Sequence, residues 1–238
     1  MTRVAAIQSS YIPWKGYFDI IHDVDLFIFY DDVQYTSRDW RTRNRIKTPS
    51  GPLWLSIPAG ADRNRRVCDV DLPDSRWQER HWRSIRHAYA RAPFFRQYED
   101  FFETAYRGTT WDNLSAFNQS LTRAIARDLL RIDTVFRDSR EYGSEGRKLD
   151  KLLDLLSRAS ATSYVTGPSA ADYIAPPRFA AAGIELIYKS YAGYPEYPQF
   201  YPPFEHGVSI LDLLFHVGPE APFYIWGWRE RGPAMSSR

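Results

Sequence analysis

The first thirty residues constrain this chain most. Val4 to Gln8 is a short apolar run that reads as a buried strand, and Pro13 breaks the chain after it. From Lys15 to Asp23, Tyr17 and Phe18 pair with Ile20 and Ile21 at helical spacing. Asp25-Leu26-Phe27-Ile28-Phe29-Tyr30 is a second apolar run, too short for a helix and rich in β-formers. Strand, helix and strand in so short a stretch make a βαβ unit. Such a unit demands a right-handed crossover and a parallel sheet.

The rest of the chain returns to this alternation after an interruption. Asp31 to Ser50 is polar and rich in Arg, Asn and Thr. Leu53 to Ile57 and Val67 to Leu72 read as strands of a hairpin-like insertion around a Gly, Asp, Asn and Arg loop. Asp74-Ser75 can cap a helix that Pro93 ends, and Phe94 to Tyr106 reads as another. Trp111, Leu114, Phe117, Leu121, Ile125 and Leu129 mark a third helix with one apolar face. Strands at Thr134–Phe136, Ser163–Val165 and Gly183–Tyr188 then alternate with helices near Leu149–Leu156 and Pro168-Ser169. A Pro- and Tyr-rich loop over 191–204 precedes a last helix, Ser209–Phe215. The expected fold is α/β, a Rossmann-like, mostly parallel sheet. It forms one domain over residues 1–230 with a helical insertion at about 74–131, and a tail at 231–238.

Composition narrows the function. The 238 residues are 44% hydrophobic and 25% charged with a net charge of +2, which excludes a disordered charged chain. The same balance gives no electrostatic footprint for nucleic acid, so no specific nucleic-acid partner is expected. One cysteine, Cys68, excludes a disulfide framework and cysteine-rich metal sites. The five histidines show no ligand spacing, so no metal is expected, and no cofactor either. No apolar run is long enough to span a membrane, and no signal peptide is evident, which makes the cytoplasm the expected compartment. Only five of the thirty-one basic residues are lysines (Lys15, Lys47, Lys148, Lys151 and Lys189). Genomic base composition explains such a bias; a taste for planar, bidentate anion binding would also produce it.

Four segments can carry chemistry. Gln8 to Phe18 leaves the first strand for the first helix, where open parallel sheets bind ligands. There Gln8 and Tyr11 are candidate contacts. Gly16 allows close backbone approach, the helix N-terminus favours an anion, and Trp14 and Tyr17 offer flat faces. The alternative is a well-packed strand–helix turn. Asp31, Asp32 and Gln34 follow the second strand, and either carboxylate can act as a base toward an amine or hydroxyl, or simply end the strand. Arg38, Trp40, Arg43, Asn44 and Arg45 lie in a cationic run that suits a small anion, or a solvated face. Gly167, Ser169 and Asp172 form a strand–glycine–helix turn without the phosphate-loop pattern. His81 is a candidate base, although a histidine on a polar helix face is the commoner case. No nucleophile elbow is present, and Cys68 has no evident base.

These segments resemble the WbqC-like family. The resemblance rests on Ala6-Ile7-Gln8, Tyr11 to Phe18, Asp31 to Tyr35 and Arg38 to Ile46. His81, Ala92 to Phe95, Gly167-Pro168-Ser169 with Asp172-Tyr173, and Ser209 to Phe215 extend it. It implies a protein of O-antigen or other sugar modification that transfers an aminoacyl group, such as glycyl, to the amine of a nucleotide-linked amino sugar. Its partners would be that acceptor, an activated amino acid and a biosynthetic enzyme. Pro13-Trp14-Lys15-Gly16-Tyr17 is also similar to the Pro-x-x-x-Gly-His loop of HIGH-type nucleotidyltransferases, one residue shorter. Trp14 and Tyr17 stand where that loop has histidines, and neutral aromatics cannot neutralise phosphate charge. That likeness supports a shared fold and argues against adenylyl transfer. An acyl (aminoacyl) transferase is therefore the leading expectation. The alternatives are an ATP-dependent ligase or nucleotidyltransferase that activates a carboxylate, and a non-catalytic partner of a biosynthetic enzyme.

Overall fold

A computed structural model describes residues 1–172 and 174–230; the expected tail at 231–238 lies outside them. The opening βαβ unit forms as the pattern requires. Strand β1 (Arg3–Ile7) leads through α1 (Lys15–His22) to β2 (Leu26–Phe29), and the two strands pair in parallel, Ala5 beside Phe27. The chain then leaves the sheet for a hairpin, β3 (Arg43–Thr48) and β4 (Gly51–Ser56). Three helices follow: α2 (Arg76–Tyr89), α3 (Phe95–Arg107) and α4 (Leu114–Ala124). It returns through β5 (Val135–Asp138), α5 (Leu149–Arg158), β6 (Ser163–Thr166), α6 (Pro176–Ala181), β7 (Glu185–Tyr188) and α7 (Ile210–Val217).

The five sheet strands lie in the order β5-β2-β1-β6-β7, and every pairing is parallel. Sequence order therefore reverses between β1 and β6. At such a reversal the loops leaving the two strand tips diverge and open a crevice. This is a doubly wound, Rossmann-like α/β arrangement, as expected.

Strand alternation divides the core between the two faces. Ala5, Phe27, Phe29 and Phe136 face one cluster with α1, the hairpin, α2–α4 and α7. Val4, Ala6 and Ile28 face the other, filled by Leu152, Leu155 and Leu156 of α5 and Phe179 of α6. The sheet centre is covered on both sides, so β1 and β2 are near-continuous apolar runs, whereas the edge strand β5 alternates buried and exposed residues.

The hairpin corrects the sequence reading. Arg43–Thr48, expected within a polar loop, is a strand that pairs antiparallel with Gly51–Ser56. Val67–Asp69 is a single 3-10 turn, not part of a strand. The reason is period two. Arg43, Arg45 and Lys47 share one face, while Asn44 and Ile46 are buried on the other. The charges masked this alternation. The turn is made by Pro49-Ser50 and by Gly51, whose φ of 101° only glycine adopts without strain.

Two fully buried carboxylates fix the outer segments. Asp19 of α1 takes Lys189 at 2.8 Å, both outer nitrogens of Arg229 at 2.9 and 2.7 Å, and the Tyr194 hydroxyl at 2.5 Å. Asp212 of α7 accepts from Tyr89 at 2.9 Å and from Tyr197 and Gln199 at 2.7 Å each. Tyr89 in turn accepts from the Lys47 backbone at 2.9 Å, which ties the hairpin to α7. Removing one partner of such a cluster leaves uncompensated charge in low dielectric. Asp19→Asn should therefore lower stability by about 3–5 kcal/mol, measured by urea unfolding; a loss under about 1 kcal/mol would show that Lys189 and Arg229 reach water instead.

Candidate functional site

The rim at the carboxyl ends of β1, β2, β5 and β6 holds Asp31 and Asp32, which the structure treats differently. Asp31 and Asp32 are adjacent, just beyond the end of β2, and meet different partners. Asp31 is wholly buried. One oxygen accepts the Ser9 N–H at 2.7 Å; the other accepts Ser115 at 2.5 Å and Gln119 at 3.1 Å, both from α4. Burial raises its pKa, against the lowering effect of those bonds. Gln119 also donates to Asp138 at the tip of β5, at 2.9 Å. Asp31 is therefore a clamp, joining the tip of β1 to α4, and not the substrate-facing base the sequence left open.

Asp32 stays at the rim. Lys151 of α5 pairs with one of its oxygens at 2.6 Å, and Ser139, after β5, donates to the other at 2.5 Å. Lys151 also donates to the Asp32 carbonyl at 2.9 Å. The sequence reading missed Ser139 and Lys151. No motif marks them, because they meet Asp32 only through the pairing of β2 with β5 and the crossover of α5.

Four other candidates bond within the fold, three of them buried and Arg45 half-buried. Tyr11 is fully buried, its hydroxyl 2.7 Å from both His81 Nδ1 and Tyr106 Oη. Burial pushes the His81 imidazole down to about 4, outweighing a bond to the Ser56 backbone that raises it. The expected base is thus a buried neutral partner of Tyr11. The Asn44 amide donates to the carbonyls of Tyr11 at 3.1 Å and Ile12 at 2.9 Å. Arg45 donates to the Gly207 carbonyl at 2.9 and 2.6 Å. These residues hold the loop after β1 against the hairpin and α7; their donors are already committed.

At the β1/β6 reversal aromatic side chains meet the two strand-tip loops. Trp14 lies across Gly16 so closely that a Cβ there would sit 2.3 Å from the indole. Gly16 is thus needed by Trp14 and not by an anion. The Trp14 edge meets Tyr191, ring centroids 4.9 Å apart, and Tyr191 Oη would lie 3.2 Å from a Cβ on Gly167. Tyr191, which the sequence reading left in a structured loop, bridges the β1 and β6 loops. Gln8 is half-buried at the tip of β1, and Ser169 is exposed beyond β6. Tyr17 is no free stacking face: its ring packs on Phe27 and its hydroxyl donates to the Gln8 carbonyl at 3.0 Å. The Asp172 side chain lies outside the described residues.

The remaining candidates lie off the crevice. Gln34 is exposed and donates to the Arg63 carbonyl at 3.3 Å. Arg38 and Arg43 line a separate groove beside the hairpin, with Trp40 nearby on the surface. Lys15 lies inside the Tyr11–Phe18 segment but is not among the expected contacts. Its Nζ sits 4.8 Å from the Tyr194 ring centroid and 5.5 Å from that of Tyr197, and it donates to the Pro195 carbonyl at 3.5 Å. Burial lowers it to about 8. Among the described residues no cluster of His, Cys, Asp and Glu could hold a metal, and no helix is long and apolar enough to cross a membrane.

The all-parallel five-stranded sheet, with its order reversing between β1 and β6, defines the general class, a doubly wound α/β protein. The WbqC-like protein family model matches residues 8–224, and the chain belongs to that family. It is 41% identical over 227 residues to "Uncharacterized protein Rv1507c" of Mycobacterium tuberculosis (strain ATCC 25618 / H37Rv), a match that covers 94% of this chain and 98% of the relative. No solved structure matches it.

The state of His81 is open to direct measurement. Its pKa is about 4 when folded, against an ordinary 6.5. Between those values the unfolded chain binds the extra proton. The stability due to neutral His81 is complete above pH 6.5 and drains as pH falls toward 4, by roughly 3 kcal/mol. Urea unfolding should therefore show wild type losing stability more steeply than His81→Gln over this window. Parallel curves would mean that the imidazole is solvated.

Proposed function

We propose that this protein transfers an activated acyl group, an aminoacyl group such as glycyl, onto the amine of an amino sugar or similar small acceptor in polysaccharide or secondary-metabolite assembly. The observation that carries the reading is Asp32. It is the one carboxylate of the acidic pair left at the rim, held from two sides by Lys151 and Ser139. A base toward an amine needs a fixed carboxylate within reach of the nitrogen. Lys151 and Ser139 supply the fixing, and the acceptor would approach along the strand tips.

The chemistry asks for no covalent enzyme intermediate. The acceptor nitrogen attacks the acyl carbonyl carbon, the new C–N bond forms, and the bond to the leaving group breaks with its electron pair. The proton shed by nitrogen passes to Asp32 and then to the leaving group or solvent. Alignment of two bound reactants supplies the acceleration. Cys68 is poorly suited to nucleophilic work, since burial and neighbouring Asp69 push its thiol up to about 11. Membership of the WbqC-like family agrees with this reading and is silent on the donor.

Incubation of the protein with a nucleotide-linked 4-amino sugar and aminoacyl donors (thioester, adenylate or tRNA ester), read by mass spectrometry, should reveal the amide product. Asp32→Asn should lower kcat by about a hundredfold or more, the usual worth of a general base, with KM little changed. Loss of less than about tenfold removes Asp32 from the role. Pyrophosphate release from ATP and a free amino acid, with no product from activated donors, would replace the reading with a ligase.

A further inference from the structure

Beside the hairpin lies a groove of about 260 Å³, with Tyr35, Arg38, Thr42, Arg43 and the Ser56–Gly60 segment as its walls. No carboxylate lines it. The arginines around it are otherwise occupied: Arg41 by Asp39, Arg45 by Gly207 and Glu205, Arg65 by the Ala59 carbonyl and Arg66 by Asp69. Arg38 and Arg43 differ. Among the described residues neither guanidinium has a hydrogen-bond acceptor or an acidic partner, and Arg43 Nε is buried without one. Arg38 also sits at a φ of 59°, which a non-glycine residue adopts at some cost.

The aromatic setting adds a second element. The Arg43 guanidinium lies 4.4 Å from the ring centroid of Trp54. A stacked guanidinium keeps its N–H donors in its own plane, free for a planar fork of oxygens. Trp54 and Trp40 are among the few large apolar side chains exposed, at 42% and 49%, and their ring centroids are 5.6 Å apart. Two unpaired guanidiniums beside two solvent-facing indoles match a ligand with anionic oxygens at one end and a flat ring at the other. The segment that carries Trp40 is tied to the loop after β1, since the Tyr11 N–H donates to the Trp40 carbonyl at 2.9 Å.

We infer that this groove binds the diphosphate of a nucleoside diphosphate, between Arg38 and Arg43, with the base laid against Trp54 and Trp40. The nucleotide-linked acceptor of the proposed function would be its occupant, and to that extent the inference rests on that reading. The sugar amine and the acyl donor would then meet along the strand-tip rim.

Calorimetric titration with UDP and ADP, with uridine and pyrophosphate as partial ligands and no acyl donor, tests this directly. UDP or ADP should bind and quench tryptophan fluorescence, and uridine should bind at least tenfold more weakly. Arg43→Gln and Arg38→Asn should each weaken the diphosphate by about tenfold or more, the ordinary worth of a charge-assisted hydrogen bond. Asparagine tolerates the left-handed backbone at 38, and urea unfolding checks that both variants fold. Trp54→Leu should abolish most of the quench. No binding of either nucleotide up to ~1 mM overturns the inference. So does equal binding by the arginine variants, equal binding of uridine, or tighter binding of a single-stranded oligonucleotide. Because no turnover is needed, nucleotide binding without acyl transfer would sink the proposed reaction and leave this site standing.

Discussion

The Asp31 carboxylate holds the functional rim together. It is taken wholly out of water and surrounded by three donors, one from the chain leaving β1 and two from α4. A buried carboxyl is costly unless its oxygens are bonded, so the geometry around it is narrowly specified. Through Ser9 it sets where the β1 loop turns. Through Gln119 and Asp138 it links that turn to β5. Asp32, one residue on, meets Lys151 and Ser139 instead.

Asp19 and Asp212 repeat the device elsewhere. Each is a sealed carboxylate that fastens segments remote in sequence. Asp19 gathers the end of β7, the 191–204 loop and Arg229 onto α1. Asp212 gathers that loop and the hairpin onto α7. Although burial alone would raise the Asp212 pKa, His216, Tyr197 and Gln199 bring it below the ordinary carboxylate value. The Pro- and Tyr-rich loop is thereby fixed, and it carries Tyr191 to Trp14 and Tyr194 to Lys15.

Several site residues were visible in the sequence but not their duties. Tyr11, Asn44, Arg45 and His81 stand in motifs rich in chemistry, yet the tertiary structure spends their donors and acceptors on the loop after β1 and on its neighbours. A polar side chain looks alike in a list whether it faces a ligand or a buried carbonyl; burial decides. Arg38 and Arg43 show the converse. The run from Arg38 to Lys47 reads as uniformly cationic, and only the pairing of its neighbours reveals which two guanidiniums have no acceptor among the described residues. Ser139, Lys151 and Tyr191 carried no local signal, because each reaches the rim through a long-range crossover or loop.

The sequence by itself determined the parallel α/β sheet, since local apolar periodicity and a short strand–helix–strand spacing admit little else. It also determined the placement of polar residues at strand ends, where apolar runs stop. Only the tertiary structure decided the strand order and its reversal between β1 and β6, because both depend on pairing between residues far apart in the chain. It likewise decided that Asp31 is sealed while Asp32 stays at the rim. Two neighbouring carboxylates are chemically equivalent until the helices packed on either side give one a set of buried donors and the other a lysine at the edge.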